Sequence, residues 1–339
     1  MTEETRQFYF QLPKVDLHCH LDGSVRAATL YELGKKSGRK LPTDNLNEFK
    51  KYVSVPSDCR SLTDFLRAFE FFYDFLKSPE AVERIAYELC EDAARENIIY
   101  LEVRFAPVLQ ATENFPPEEV VRMALRGLAQ GEKDFKIKTR AIICLYRSLP
   151  DELNETMLAV AKKFRSRGIV GIDLAGDESH YETKLYEKFF LQARKYGFPI
   201  TCHAGEAAGP ESIYQALRLG ARRIGHGVAA IKDEELLKIL RREGIFLEVC
   251  LTSNVQTQVV KGYPQHPLPE FVRRQLLVTL NTDDRGVSDI DLTNEFELAT
   301  KYFAFSRSVL VGFVANAVEG AFLDESEKRQ LRLWLKQEE

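Results

Sequence analysis

Apolar positions recur along this chain with two periods, and the points where one gives way to the other outline the fold. Short runs that alternate or are continuously apolar predict strands at 14–20, 98–105, 139–146, 169–174, 199–203, 223–226, 245–251 and 276–281. Between most of them the spacing changes to i, i+3, i+4, which predicts helices at 117–135, 151–167, 183–196, 210–219, 233–243 and 268–274. Eight strands alternating with helices spell an α/β fold, the (β/α)8 or TIM barrel. Further helices are expected at 292–305, 309–319 and 324–336, and the stretch 27–96 is mainly helical and too long for one simple crossover. An extra helical lid region is therefore expected between strands 1 and 2, with a second helical addition (about 292–336) at the C-terminal end. No repeat, low-complexity segment or flexible linker interrupts the pattern, so a single domain over 1–339 is expected.

Within the lid region, LTDFLRAFEFFYDFL puts Leu62, Phe65, Leu66, Phe69, Phe72 and Leu76 on one helical face. Such a face packs into a core or, if the segment lies over a site, its aromatics wall a pocket for a flat ligand.

Composition narrows the picture. With 339 residues, 45% hydrophobic and 29% charged, the chain can bury a core large enough for two ordinary domains or one extended barrel. A formal net charge of -4 gives no basic footprint, which argues against nucleic acid as a partner and for a small ligand. The start, MTEETRQFYFQLPK, has no signal-peptide core and no apolar run reaches membrane-spanning length, so no membrane partner and a cytoplasmic location are expected. The six cysteines (Cys19, Cys59, Cys90, Cys144, Cys202, Cys250) form no CxxC pair and are expected as free thiols, most of them buried.

A barrel carries its chemistry at the C-terminal ends of its strands, and the unusual residues fall there. KVDLHCH ends the first strand with His18 and His20 on one face, since residues i and i+2 point the same way. On their own they could bind a metal or make separate hydrogen bonds near the Leu21-Asp22-Gly23 turn. Gly176-Asp177-Glu178 follow the fourth strand, His203 and Glu206 the fifth, His226 the sixth, Ser253-Asn254 the seventh and Asp283-Asp284 the eighth. Three imidazoles (His18, His20, His203) with the Asp283 carboxylate form a nitrogen and oxygen set suited to Zn²⁺, which lowers the pKa of its bound water. Glu206, three residues past His203, is placed to move protons. His226, between Gly225 and Gly227 that would let a ligand come close, could orient the hydroxide or stabilise developing charge. Asp283 and Asp284 are adjacent and must play different parts; a raised pKa on Asp284 would supply the proton that a carboxylate needs to face a ring nitrogen. Alone, such a pair would be a cap or a turn.

Taken together, PKVDLHCHLDGS, DLAGDE, HAGE, GHG and LNTDD, in this order, resemble the adenosine deaminase family from Pro13 to the last helices. The resemblance implies a metal-dependent (β/α)8 hydrolase with one zinc ion per chain, held by His18, His20, His203 and Asp283, that removes the 6-amino group of adenosine or 2′-deoxyadenosine to give inosine-type products and ammonia. It implies that Glu206 donates a proton to purine N1 and that His226 positions the zinc hydroxide that attacks C6. Asp284 would hydrogen-bond N7, the Gly176 backbone would meet N3, and Asp22 would contact a ribose hydroxyl, with His20 also beside the substrate. Leu66 and Phe69 match the helix that covers the pocket, which favours the pocket-wall reading of that segment.

Relatives that act on free adenine tend to carry Glu where this chain has Asp22, which favours a nucleoside. Aminofutalosine, methylthioadenosine-type nucleosides, N6-methyl-AMP and adenine stay open as alternative substrates. The stretches after strands seven and eight look bacterial, and Arg285 is expected as a solvated rim residue. A two-metal hydrolase on the same architecture would need a bridging group, often a modified lysine, yet the third strand ends in Leu145-Tyr146-Arg147 and the fourth in Leu174-Ala175-Gly176. A non-catalytic binding protein on this fold would be expected to have lost some of the reactive residues, and all are present. The oligomeric state is not legible.

Overall fold

The computed structural model describes residues 3–337, so the two ends of the expected span 1–339 lie outside the described residues. Eight parallel strands organise it: β1 (Lys14–His20), β2 (Ile98–Phe105), β3 (Lys138–Tyr146), β4 (Ile169–Ala175), β5 (Thr201–Ala204), β6 (Arg223–His226), β7 (Phe246–Val249) and β8 (Leu277–Leu280). They pair in sequence order as two four-stranded sheets, β1 to β4 and β5 to β8. Single parallel bridges close both seams, Ile172 to Ile200 on one side and Cys19 to Asp283 on the other. At the second seam the amide of His20 donates to the Asp283 carbonyl (2.7 Å) and that of Asp283 to the His18 carbonyl (2.8 Å). The result is the (β/α)8 barrel, with helices on its outside.

Strands β5 and β7 are shorter than the apolar runs that predict them, for local reasons. At β5, Pro199 has no N–H to give to a ladder. At β7, Leu251 already begins a helix, and the buried Glu295 carboxylate accepts its amide at 2.7 Å.

The inside of the barrel is charged. Tyr100, Glu102 and Arg104 alternate along β2 and so share a face. Arg104 reaches Asp173 on β4 (3.1 Å) and Glu248 on β7 (2.8 Å), while Arg223 on β6 reaches Glu248 (2.5 Å) and Glu102 (2.6 Å), every one of these side chains fully buried. The C-terminal segment closes the opposite end of the barrel from the site: the Gly320 carbonyl accepts from Arg223 (3.0 Å), and the Phe322 ring lies under its guanidinium (3.6 Å).

The lid region is helical, as its periodicity predicts, but not continuously so. Helices Ala27–Lys36, Leu46–Val53 and Leu62–Glu70 precede a 3-10 turn, Tyr73–Leu76, and the long helix Pro79–Arg95. Side chains of Asn45, Ser61 and Ser78 cap three of these elements by accepting amides of the following turn. The break near Phe71 splits the single apolar face expected for 62–76. It turns the Tyr73 hydroxyl towards Asp22 (2.9 Å) while Phe72, Phe75 and Leu76 remain buried. A helix at Glu3–Gln11, which the hydrophobic pattern does not announce, is held by Lys14, whose ammonium donates to the carbonyls of Tyr9 (2.7 Å) and Leu12 (2.9 Å). All six cysteines are free, and all but the half-buried Cys59 are buried. Among the described residues no helix is long and apolar enough to cross a membrane.

Helices Pro79–Arg95 and Pro117–Asp134 pack closely because Gly127 leaves no side chain between them. A Cβ there would lie 2.2 Å from the Glu83 carbonyl oxygen. Gly127→Ala gains about 1 kcal/mol in helix propensity but must push two backbones apart, an overpacking cost of about 1–3 kcal/mol or more. A lower urea midpoint with an unchanged m-value is expected; a midpoint at or above that of the parent would show that the helices can separate freely.

Candidate functional site

Side chains from β1, β5, β6 and the turn after β8 converge at the C-terminal rim. Nε2 of His18 is 3.0 Å from Nε2 of His203 and 3.1 Å from Oδ1 of Asp283. Nε2 of His20 is 3.2 Å from the same His203 nitrogen and 3.3 Å from the same Asp283 oxygen. These four atoms form a closed ring of near-equal edges. His226 stands slightly farther out, Nε2 at 3.8 Å from Asp283 Oδ2, though one donor atom each from His18, His203, His226 and Asp283 can be chosen within 4.8 Å of one another. Two of the converging residues have left-handed backbones, His226 at φ 62° and Asp283 at φ 64°. That conformation is uncommon for side-chain-bearing residues and concentrates at functional sites.

What lies behind the histidines decides which atoms they offer. Nδ1 of His18 sits 2.9 Å from Glu248 Oε2, and Nδ1 of His203 lies 3.0 Å from Asp173 Oδ2. A carboxylate can only accept, so each Nδ1 carries a hydrogen, and in the neutral ring that a metal needs each Nε2 presents a lone pair. Two such lone pairs facing at 3.0 Å repel unless a cation stands between them. Zinc-to-nitrogen bonds of about 2.0–2.1 Å at tetrahedral angles would set neighbouring donor atoms about 3.3 Å apart, so the ring has the right size for a divalent ion. Arg104 ties the two orienting carboxylates together. Burial alone would push Asp173 up, but His203 and Arg104 hold it well below the carboxylate range. Glu248 is likewise held below its ordinary value, against burial, by Arg104 and Arg223.

A cleft opens over this centre. His20, Asp22, Gly176, His203, Glu206, His226, Asp283 and Asp284 line it from the barrel side, and Leu66 and Phe69 line it from the lid helix Leu62–Glu70. His18 is fully buried below it. The lid helix is tied down through Thr63, whose hydroxyl donates to Asp177 (3.0 Å). Burial, with Asp283 and Glu178 adding to it, raises Glu206 well above the ordinary carboxyl value. Burial and the adjacent Asp283 do the same to Asp284, whose Oδ1 has no hydrogen-bond partner. Both groups are thus carboxyls biased towards the protonated form where they face the ligand space. Asp22, raised by burial, accepts from Tyr73.

The loop that carries Glu206 is clamped by Glu178. Its carboxylate accepts the amides of Gly205 (2.7 Å), Glu206 (2.9 Å), Ala207 (2.8 Å) and Ala208 (3.1 Å), together with the Ser212 hydroxyl. Gly205, at φ 67°, makes the sharp turn that lets Glu206 follow His203 into the cleft.

Two expectations need correcting. Arg285 is not a solvated rim residue: it is 7% exposed and its guanidinium is bound to the buried Glu96 carboxylate. Gly225 and Gly227 do not line the cleft. A Cβ on Gly225 would meet His18 (2.9 Å) and one on Gly227 would meet Leu247 (2.8 Å), so both make room for the protein's own side chains. Sequence reasoning also passed over Asp173, Glu248 and Arg104, although a charge inside each apolar strand was the available signal, and over Tyr73 and Tyr146, which help to line the cleft.

The family model described as adenosine deaminase matches residues 13–337. A Clostridium perfringens protein named adenosine deaminase is 39% identical over 324 residues, covering 95% of this chain and 97% of its own. One from Klebsiella pneumoniae with the same name is 42% identical over 322 residues, covering 94% and 96%. A solved amidohydrolase from Burkholderia ambifaria with bound zinc superposes with a TM-score of 0.90 at 26% identity, covering 100% of this chain and 93% of that one.

Because Asp173 holds His203 through one hydrogen bond, Asp173→Asn should lower divalent-metal affinity by about 10–100-fold, measured by competition with a chelator. Unchanged affinity would show that Asp173 does not orient its histidine.

Proposed function

The chain belongs to the adenosine deaminase family, and we propose that its rim site works with one zinc ion per chain on purine nucleosides, adenosine and 2′-deoxyadenosine. The protein is a hydrolytic deaminase that converts adenosine to inosine and ammonia. The observation that carries the zinc and nucleoside reading is one arrangement: a ring of four donor atoms beneath a cleft walled by two carboxyls whose pKa values are raised.

In this reading His18, His20, His203 and Asp283 hold the ion, and the orienting carboxylates Glu248 and Asp173 support it. When bound, zinc supplies an activated water as the nucleophile. Glu206, its pKa raised by burial, gives its proton to purine N1, which makes C6 a better electrophile. Protonated Asp284 donates a hydrogen bond to N7 through its free carboxyl edge, and the Gly176 amide faces N3. His226 orients the attacking oxygen. Asp22 reads a ribose hydroxyl, with Tyr73 holding it in place, and Leu66 and Phe69 cover the base and exclude water. The Asp22 contact favours a nucleoside over free adenine.

Glu206→Gln keeps the size of the side chain and removes the proton. It should retain about one metal per chain and lose about 10²–10⁴-fold in kcat; near-normal turnover would remove Glu206 from the acid role. In the parent enzyme the acid form is the active one, and burial raises its pKa well above the ordinary carboxyl value. Activity should therefore fall as pH rises through that value, and Glu206→Gln should lack this alkaline limb. Substrate choice is tested by loss of adenine-ring absorbance with adenosine, deoxyadenosine, methylthioadenosine, adenine and AMP in parallel. Adenosine and deoxyadenosine should be fast, with adenine and AMP poor; the reverse order would overturn Asp22 as the ribose reader.

A further inference from the structure

His226 presents Nε2 to Glu206 Oε2 at 3.6 Å and to Asp283 Oδ2 at 3.8 Å, contacts too long to dictate which ring nitrogen carries the hydrogen. The ring is polarised from behind, and the direction can be read from a backbone amide, which can only donate. The N–H of Leu268 donates to Nδ1 of His266 over 3.0 Å. His266 is 3% exposed and burial lowers it to about 3, so the ring is neutral and its single hydrogen must sit on Nε2. That nitrogen donates to Oδ1 of Asn254 at 3.2 Å. With its oxygen so engaged, the Asn254 amide turns Nδ2 the other way, where it donates to Nδ1 of His226 at 3.0 Å. Asn254 cannot swivel out of this role easily. It is fully buried, its own amide donates to Cys250 and its carbonyl accepts from Val260, both at 3.0 Å.

Nδ1 of His226 is therefore an acceptor. A ring nitrogen that accepts carries no hydrogen, so the hydrogen of the ring lies on Nε2 and points into the cleft. His18 and His203 are held in the opposite tautomer by carboxylates, with bare Nε2 lone pairs. The geometry points to Asn254 and His266 as positioning residues that hold His226 in its Nε2–H form. In that form His226 is a hydrogen-bond donor to an oxygen at the reaction centre, and it is excluded as a metal ligand through Nε2 and as the initial base. This inference rests on the reading that His226 orients the attacking oxygen, and it adds the pair of residues that make such an orientation possible.

The test is nitrogen NMR of the zinc-loaded protein labelled with [15N]histidine, with the His226 signals identified by their loss in His226→Gln. In the parent, His226 should show a protonated Nε2 and an unprotonated Nδ1 across the neutral range. Asn254→Asp replaces the donor with an acceptor and should move the hydrogen to Nδ1. It should lower kcat by about 10²–10⁴-fold, the range for a proton-handling group held in the wrong tautomer, with KM little changed and metal still near one per chain. His266→Gln, which keeps an N–H for Asn254, should preserve the parent tautomer, and His266→Phe should not. An Nδ1–H or doubly protonated His226 in the parent overturns the inference, and that spectrum needs no variant to fold. A tautomer unmoved by Asn254→Asp overturns it as well. If the tautomer moves as stated while the rate does not, the relay stands and the part given to His226 in the reaction falls.

Discussion

One guanidinium, that of Arg104, sits where the barrel's interior and its chemistry meet. It bonds Asp173 and Glu248, the two carboxylates that fix the tautomers of His203 and His18. Each buried ion costs several kcal/mol to desolvate, so this arrangement is tolerable only while every charge is matched. Within the connected group, Arg104 and Arg223 face Glu102, Asp173, Glu248 and, through His18, Asp283. Two guanidiniums against four carboxylates leave an excess of negative charge under the cleft, and a divalent cation closes that balance. The metal site is thus the upper layer of a charge network that already fills the barrel, where other barrels place branched apolar side chains.

The strands were legible because their apolar runs are short, bounded by turns and interrupted by amphipathic helices. The rim was legible because barrel topology sends chemistry to one end of every strand. What stayed hidden is of another kind. Glu248 and Asp173 appeared as odd charges in otherwise apolar runs, and nothing local says that their partners lie on β1, β2 and β5. Arg285 read as a solvated cation since its partner, Glu96, is 189 positions away in the chain. The break at Phe71 was invisible to helical periodicity, because Phe72 and Leu76 continue the apolar spacing while the backbone turns to bring Tyr73 to Asp22.

The rim also shows where local preference yields to chemistry. His226 and Asp283 occupy left-handed backbones that residues with side chains adopt at a cost of about 1–3 kcal/mol each. Both follow or end short strands, and both are locked by ladder contacts: Asp283 by its bridge to Cys19, His226 by pairing with Ala204. The twist aims their side chains across the barrel axis instead of along the strand face. Glu178 acts in the same sense on the neighbouring loop, converting four successive orphan amides into a rigid cradle under Glu206. Glu206 itself makes no side-chain hydrogen bond among the described residues, so its direction is inherited from that backbone.

Histidines at this rim therefore fall into two chemical types that composition and spacing alone cannot separate. A ring backed by a carboxylate turns a lone pair to the centre and suits a metal; a ring backed by an amide donor turns a hydrogen there and suits an oxygen. His18 and His203 belong to the first type and His226 to the second. Distance alone would admit His226 to the metal's ligands, since its donor atom lies in the same 4.8 Å cluster. In the proposed tautomer the atoms behind the ring argue otherwise: a nitrogen that already carries a hydrogen has no lone pair to give. The same zone thus offers both an electron-pair side for the cation and a donor side for the oxygen that it activates, and that polarity is what a hydrolytic site requires.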